Sequence, residues 1–438
     1  MGQKDSYGLA ITTTSDLAAT HFRKAVDLSL AAWPGADVAL DTALEADPRL
    51  ALAWAARARI HQMEGDREKA SGTIARARDL ADAEVSDRER SHVDVIALGV
   101  EGKSAESLEA SLVHLQTWPR DAVILSLPLG AFGLFAFSGM ADHDQARVDL
   151  CELYRREHDD RWWFQTNYGW ALVENNAPVK GRRLIEASFE TKPDNANSAH
   201  ALAHAMYEQG ATREADAMIE AWLPGYNRKG ILHAHLAWHQ ALTALEQGEP
   251  ERATALYSEF VRPRVSAALT VNMVSDAAAF LWRLGLNGVD PAPELWREAI
   301  EVANNAYPHA GFAFIDIHMG MVAAAARDEA ALERRVAALD ARIEAGQYRA
   351  GRVGPATCQA LYAFAEQRYE DCARLLEPVA HDVVRIGGSH AQRDVIEETL
   401  LVAWMRSGQA EKARELLDGR LHRRPSARDS HWRASLPG

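Results

Sequence analysis

Apolar residues along this chain recur at intervals of three and four, the spacing that collects them on one side of a helix. In the stretch carrying Trp54, Ala58, His61, Gly65, Ala70, Ile74 and Ala77, an apolar helix ends near a glycine and an alanine follows five residues on. Large and small apolar residues then resume at helical spacing. The same skeleton returns at Gly169, Leu172, Asn176, Ile185 and Pro193, and at Ala203, Met206, Gly210, Ala215 and Ile219. Further copies lie at Ala241, Ala244, Gly248, Ala253 and Tyr257, and at Trp404, Gly408, Ala413, Leu417 and Pro425. The turns at Asn176 and Gly210 are 34 residues apart, those at Gly210 and Gly248 38 apart. Small residues let the two helices of a pair cross closely, and the glycine supplies the positive φ that ends the first helix. Each pair leaves an apolar face that only the next pair can cover, so the pairs must stack.

This period and alanine pattern resemble tetratricopeptide repeats. The expected fold is therefore all-α: a tetratricopeptide-repeat-like α-solenoid, a right-handed superhelix of helix–turn–helix pairs closing around a concave central cavity. No strand-like alternation competes with it, since Val123 to Leu127 is short and reads as helix equally well. Irregular loops are expected at Pro224–Lys229, Asn287–Pro293 and Gly387–Ser389. Residues 15–424 read as one domain, between a flexible N-terminus (1–14) and a polar, mobile C-terminal tail (425–438).

Composition narrows the function classes. The 438 residues are 47% apolar and 25% charged, a globular balance. The formal charge of −14, without a basic cluster, argues against binding nucleic acid or an anionic membrane. No apolar run approaches the roughly 18 residues of a membrane span and no leader opens the chain, so a soluble, cytoplasmic protein is expected. The opening Met1-Gly2-Gln3-Lys4-Asp5-Ser6 matches the short N-myristoylation pattern, and we read it as a frayed end. Three cysteines (Cys151, Cys358 and Cys372) without CxxC spacing exclude a disulfide framework and a thiolate zinc site. P-loop, GxGxxG, HExxH and GxSxG motifs are all missing, so no nucleotide cofactor is expected.

Histidine carries the candidate chemistry. Among 17 histidines, His200 and His204 form one pair four residues apart, and His235 and His239 another. That spacing puts both rings of a pair on one helix face, one turn apart, as shared metal ligation requires. With Gly210 and Gly248 aligned, Ala199, Leu202, Ala203 and Met206, like Ala237, Gln240, Ala241 and Ala244, point to the partner helix. The four histidines fall on the opposite side, within an arc of about 100°, and so are expected to face the groove. His318, after Asp316, aligns with the same arc. Ser389 and Gln392 predict a capping box, which would put His390 on the first turn of a long helix with Arg393 placed to receive a carboxylate or phosphate. The remaining histidines, including His61, His92, His114, His158 and His233, read as surface or hydrogen-bonded residues, and Trp162, Trp163 and Trp170 as core aromatics.

These segments resemble the tetratricopeptide repeat protein 38 group, the StaR-like proteins. Its His-Ala-x-Ala-His-x-x-x-x-Gln-Gly segment is found as His200 to Gly210, and its His-Asn-Trp-Trp-His as His235-Leu236-Ala237-Trp238-His239. Asp276 to Arg283 and Asp316-Ile317-His318 look like two further motifs, and Gly-Gly-Ser-His-Ala-Gln-Arg-Asp is intact as Gly387 to Asp394. Leu236, Ala237 and Ile315 depart from the pattern while the histidines keep it. The resemblance implies a site in the groove and leaves its chemistry open.

The leading expectation is a metal-dependent enzyme acting on a small molecule in that groove. His200, His204, His235, His239, His318 and His390 are the candidate ligands. Asp316, His390 and Arg393 are the candidate catalytic groups, and Arg393, Gln392 and Trp238 the substrate contacts. Asp276, Asp316 and Asp394 could ligate the ion or orient imidazoles, and Arg393 could instead bridge to Asp394 or Asp276. A nitrogen-rich shell suits Fe(II) or Zn(II). Iron would make a non-heme hydroxylase or oxygenase, slightly preferred for want of a hydrolytic zinc signature; zinc would make a hydrolase. The alternatives are a non-catalytic scaffold holding a peptide or partner protein, and a storage or transport protein. The expected partners are a small-molecule substrate, no nucleic acid and no membrane, with room for a homo-oligomer.

Overall fold

A computed structural model describes residues 3–81 and 85–437; the Met1-Gly2 start of the acylation-like pattern lies outside the described residues. The described chain is all-α, with 23 α-helices in sequence, and its one ladder pairs Gln3–Lys4 with Ala10–Ile11 antiparallel. Successive helices form antiparallel pairs of the tetratricopeptide type, each joined by a short turn. Val123 to Leu127 lies inside the helix Ala122–Leu129.

The residues that defined the repeat do what their sizes predict. Gly65, Gly210, Gly248 and Gly408 all have positive φ, and so does Asn176, at 61°. Asparagine is the usual substitute for glycine in the left-handed region. The alanines at the crossings, Ala58 with Ala70, Ala203 with Ala215 and Ala241 with Ala253, are all buried.

Two compact units divide the chain. One comprises Met1–Ser138, Asp144–Ala171 and Arg183–Ser198; the other comprises Gly139–His143, Leu172–Arg182 and Ala199–Gly438. The stretch 15–424, expected to be one domain, contributes to both units. In the first, Asp121 gathers Arg88 at 2.8 Å and His92 at 2.9 Å, all three buried. Every residue of the candidate site belongs to the second.

Residues near both ends, where flexible segments were expected, pack against the rest of the protein. Near the start, Tyr7 and Ile11 are buried. At the other end, Ala427–Ser435 is a helix capped by Ser426, and Arg428 and Asp429 are buried. The tail's polarity misled because its charges are paired inside the protein rather than solvated. The same docking constrains Gly210, where φ is 71° and an added Cβ would stand 2.7 Å from the Pro425 carbonyl oxygen. We expect Gly210→Ala to cost about 2 kcal/mol of stability, read from its urea midpoint. An unchanged midpoint would mean that the Pro425 backbone yields. Among the described residues no helix is long and apolar enough to cross a membrane.

Candidate metal centre

The helix Ala196–Glu208 carries His200 and His204, and His233–Glu246 carries His235 and His239. Spacings of four stack each pair along its own helix, and the shared repeat register turns both pairs to one point. Ring centroids lie 4.6 Å apart for His200 and His204, 4.8 Å for His235 and His239, and 4.3 Å for His204 and His239 across the helices. One nitrogen from each of the four falls within 4.8 Å of the others. The Nε2 atoms of His200 and His204 are 3.1 Å apart, near the roughly 3.3 Å between nitrogens that share a tetrahedral zinc ion.

The rings are buried, none more than 8% exposed. They were expected to face a groove, and the structure places them among buried residues. Burial, with the neighbouring imidazoles adding to it, holds His200, His204 and His239 well below the usual imidazole range. They are therefore neutral at neutral pH, the form that ligates metal. The Nε2 atom of His239 is buried without a hydrogen-bond partner. A buried polar atom left so costs about 1–3 kcal/mol unless something binds it.

Carboxylates stand behind two of the rings. Asp276, from the helix Thr270–Leu286, lies 2.7 Å from Nδ1 of His235, the orienting role expected for it. Glu174, the last residue of Trp162–Glu174, is fully buried and lies 3.5 Å from Nδ1 of His204. Its other oxygen accepts the backbone N–H of His390 at 2.7 Å. Glu174 was not anticipated. A signal existed: Glu174, Glu208 and Glu246 each sit two residues before a repeat turn, at Asn176, Gly210 and Gly248. The donor set fits a divalent transition metal, with four converging imidazoles and a carboxylate beside two of them.

Other expected site residues lie elsewhere in the second unit. His318 is buried on Ala313–Ala326, outside the four-histidine group; its Nδ1 meets the Phe314 carbonyl at 2.7 Å and its Nε2 has no partner. Asp316, expected to act at the metal, is bound to Arg335 and accepts the Gly311 N–H at 3.1 Å. Asp394 is bound to Arg420 at 2.7 Å; burial alone would raise its carboxyl, but Arg420 and Arg424 hold it well below the usual range. Both are ion-pair residues, because an arginine outcompetes a neutral imidazole for a buried carboxylate.

The capping box at Ser389 and Gln392 is present as predicted and begins the helix His390–Arg406. It engages the side-chain oxygen of Gln392, so that oxygen is not offered to a substrate. His390 is half-buried and outside the four-histidine group. Arg393 donates to the Gly388 carbonyl at 2.6 Å and stands 4.0 Å from Glu174, bridging to neither Asp394 nor Asp276. Gly388 packs so tightly that an added Cβ would stand 2.5 Å from the Phe314 ring. Trp238 is fully buried, stacked on His235 at 5.2 Å with Arg283 5.7 Å over its ring; it walls the cluster rather than meeting a substrate. Arg283 is itself paired with Glu398 at 3.0 Å.

No family model matches the chain. Among solved structures it is similar to the yeast Tom70 crystal structure, at 14% identity over 92% of this chain and 91% of that one, TM-score 0.32. It is similar to a monomeric IFIT1 mutant with Gppp-AAAA, at 11% identity over 96% and 85%, TM-score 0.34. It is also similar to Naa15/Naa10 bound to HypK-THB, at 13% identity over 93% and 63%, TM-score 0.26. Likenesses this low carry nothing about residues or activity. Two of these structures hold a partner, Gppp-AAAA in one and HypK-THB in the other, where a small-molecule substrate was expected for this chain.

Proposed function

We propose that this protein is a metal-binding helical-repeat scaffold: its helix pairs receive a protein or peptide partner, and one divalent transition-metal ion, Fe(II) or Zn(II), is held inside by His200, His204, His235 and His239. The metal reading rests on one observation, the convergence of four buried imidazoles with their donor atoms within 4.8 Å. An ion held there would tie Ala196–Glu208 to His233–Glu246, so its binding energy would become folding energy. The four rings are at most 8% exposed, and a structural ion within a scaffold is favoured for that reason over hydroxylation or hydrolysis. The motifs that resemble the tetratricopeptide repeat protein 38 group support membership of it, since those of His200–Gly210, His235–His239 and Asp276 supply the cluster or its support.

Protein purified without an affinity tag, and its His200→Ala and His239→Ala variants, test the metal by elemental mass spectrometry. We expect about one ion per parent chain and less than about a tenth of that in either variant. A parent that stays empty after exposure to Zn(II), and to Fe(II) under anaerobic conditions, sinks the metal reading. A displayed peptide library that yields no binder to the loaded parent sinks the scaffold reading.

A further inference from the structure

Glu174 is in an unusual place for a charge. It ends the helix Trp162–Glu174, where the helix dipole is negative, and it is fully removed from water. Both circumstances disfavour a carboxylate. What compensates lies across from it. One oxygen accepts the His390 N–H at 2.7 Å, at the positive end of His390–Arg406, and Arg393 adds a guanidinium at 4.0 Å. The other oxygen stands 3.5 Å from Nδ1 of His204, whose Nε2 faces His200 at 3.1 Å. One carboxylate therefore touches both a candidate metal ligand and the start of the helix that follows Gly387 and Gly388.

Tautomers make these contacts dependent on each other. In the metal-free cluster one of the two facing Nε2 atoms must carry a proton and the other accept it. If His204 carries it, its Nδ1 turns a lone pair toward Glu174, which repels; if His200 carries it, the His204 proton is on Nδ1 and already faces Glu174, so without metal both arrangements are open. If a metal takes the Nε2 lone pair of His204, the proton sits on Nδ1 and is donated to Glu174. Asp276 does the same for His235 at 2.7 Å, and among the described residues no hydrogen bond or ion pair joins it to the His390 helix, so it offers a control.

Resting on the metal reading above, we infer that Glu174 is a positioning residue that couples metal occupancy to the docking of Gly387–Arg393. Loading the histidines fixes the His204 proton toward Glu174, anchors the carboxylate, and thereby holds the His390 amide and the turn before it. The regulated element is the segment that opens the His390 helix, and the signal is the ion itself.

The test uses the full chain stripped with a chelator, with Zn(II) affinity by calorimetry, the visible spectrum of the Co(II) form, and hydrogen exchange with and without Zn(II). The parent should bind one ion, and Zn(II) should slow exchange most strongly in peptides covering 387–394. Glu174→Gln keeps the shape but not the charge. We expect it to bind about 10–100-fold more weakly, to shift the Co(II) spectrum, and to lose the zinc-dependent protection at 387–394. Asp276→Asn should also bind more weakly yet keep that protection. If Glu174→Gln fails to fold, Glu174→Asp, which keeps the charge and shortens the reach, should show the same loss of protection. A Glu174 variant with parental affinity, or with its protection at 387–394 retained, overturns the coupling and leaves the metal site standing. Protection spread evenly over the parent chain does so too. A parent that binds neither Zn(II) nor Co(II) overturns both readings.

Discussion

Arg428→Ala should lower the unfolding free energy by about 3 kcal/mol, although only ten residues follow it in the sequence. Its guanidinium is 2.7 Å from Glu398, 3.2 Å from Asp429 and 3.5 Å from Glu246, and all four residues are buried. Asp429 is tied in turn to Arg420 at 2.7 Å, and Arg420 to Asp394 at the same distance. Removing one cation from such a network leaves carboxylates in low dielectric without enough countercharge, and that cost exceeds whatever the pair contributes while intact. The neighbouring Arg433 pairs with Asp418 at 2.7 Å on the surface, where both remain partly exposed. Arg433→Ala should change stability far less than Arg428→Ala, because solvent screens an exposed pair. Urea unfolding of the two variants beside the parent makes the comparison. Equal, small effects would show that the tail does not dock in solution.

The metal-stripped protein should lose stability steeply as pH falls from about 6.5 to 4. Burial, chiefly, and Arg283 after it push the His318 imidazole down to about 4, against the pull of the Phe314 carbonyl in the other direction. The unfolded chain takes up this proton near pH 6.5 and the folded chain only near 4. Between those values the unfolded state binds more protons, so stability rises with pH across the window. It is fully present above about 6.5 and lost by about 4. A gap of that width is worth about 3 kcal/mol for His318 alone. His200, His204 and His239 act in the same sense. Unfolding free energies at several pH values, for the parent and for His318→Gln, give the measurement, and the difference between the two curves isolates His318 from the carboxylates. Parallel curves would mean that His318 is protonated in the fold or reached by water.

The repeat was legible because it rests on local rules. Gly210 and Gly248 had to take positive φ to end a helix, and Ala203, Ala215, Ala241 and Ala253 had to be small for helices to cross. Convergence of the histidines was also legible, because two pairs in one repeat register inherit the geometry of the stack. The capping box at Ser389 and Gln392 depends on four consecutive residues and was read correctly.

The misreadings share one cause. Asp316, Asp394 and the tail from Pro425 were judged by the chemistry that their side chains can do, without knowing which arginine would arrive. Arg335, Arg420 and Arg428 reach these carboxylates from 19, 26 and as many as 182 residues away, and no periodicity announces such a pairing. Glu174 was missed for the same reason: its partners His204 and His390 lie 30 and 216 residues on. The wheel correctly turned the histidines away from their partner helices but could not say whether that side was open or filled.

By itself, then, the order of residues determined the helices, their turns, their pairing and the meeting of four imidazoles, since each follows from φ preferences, side-chain volume and a period of 3.6 residues. Only the tertiary structure decided that the imidazoles are shut away from solvent, which carboxylates orient them, and which acids are neutralised by distant arginines. Those outcomes depend on what is excluded from water together, and burial is a property of the packed chain rather than of any stretch of it.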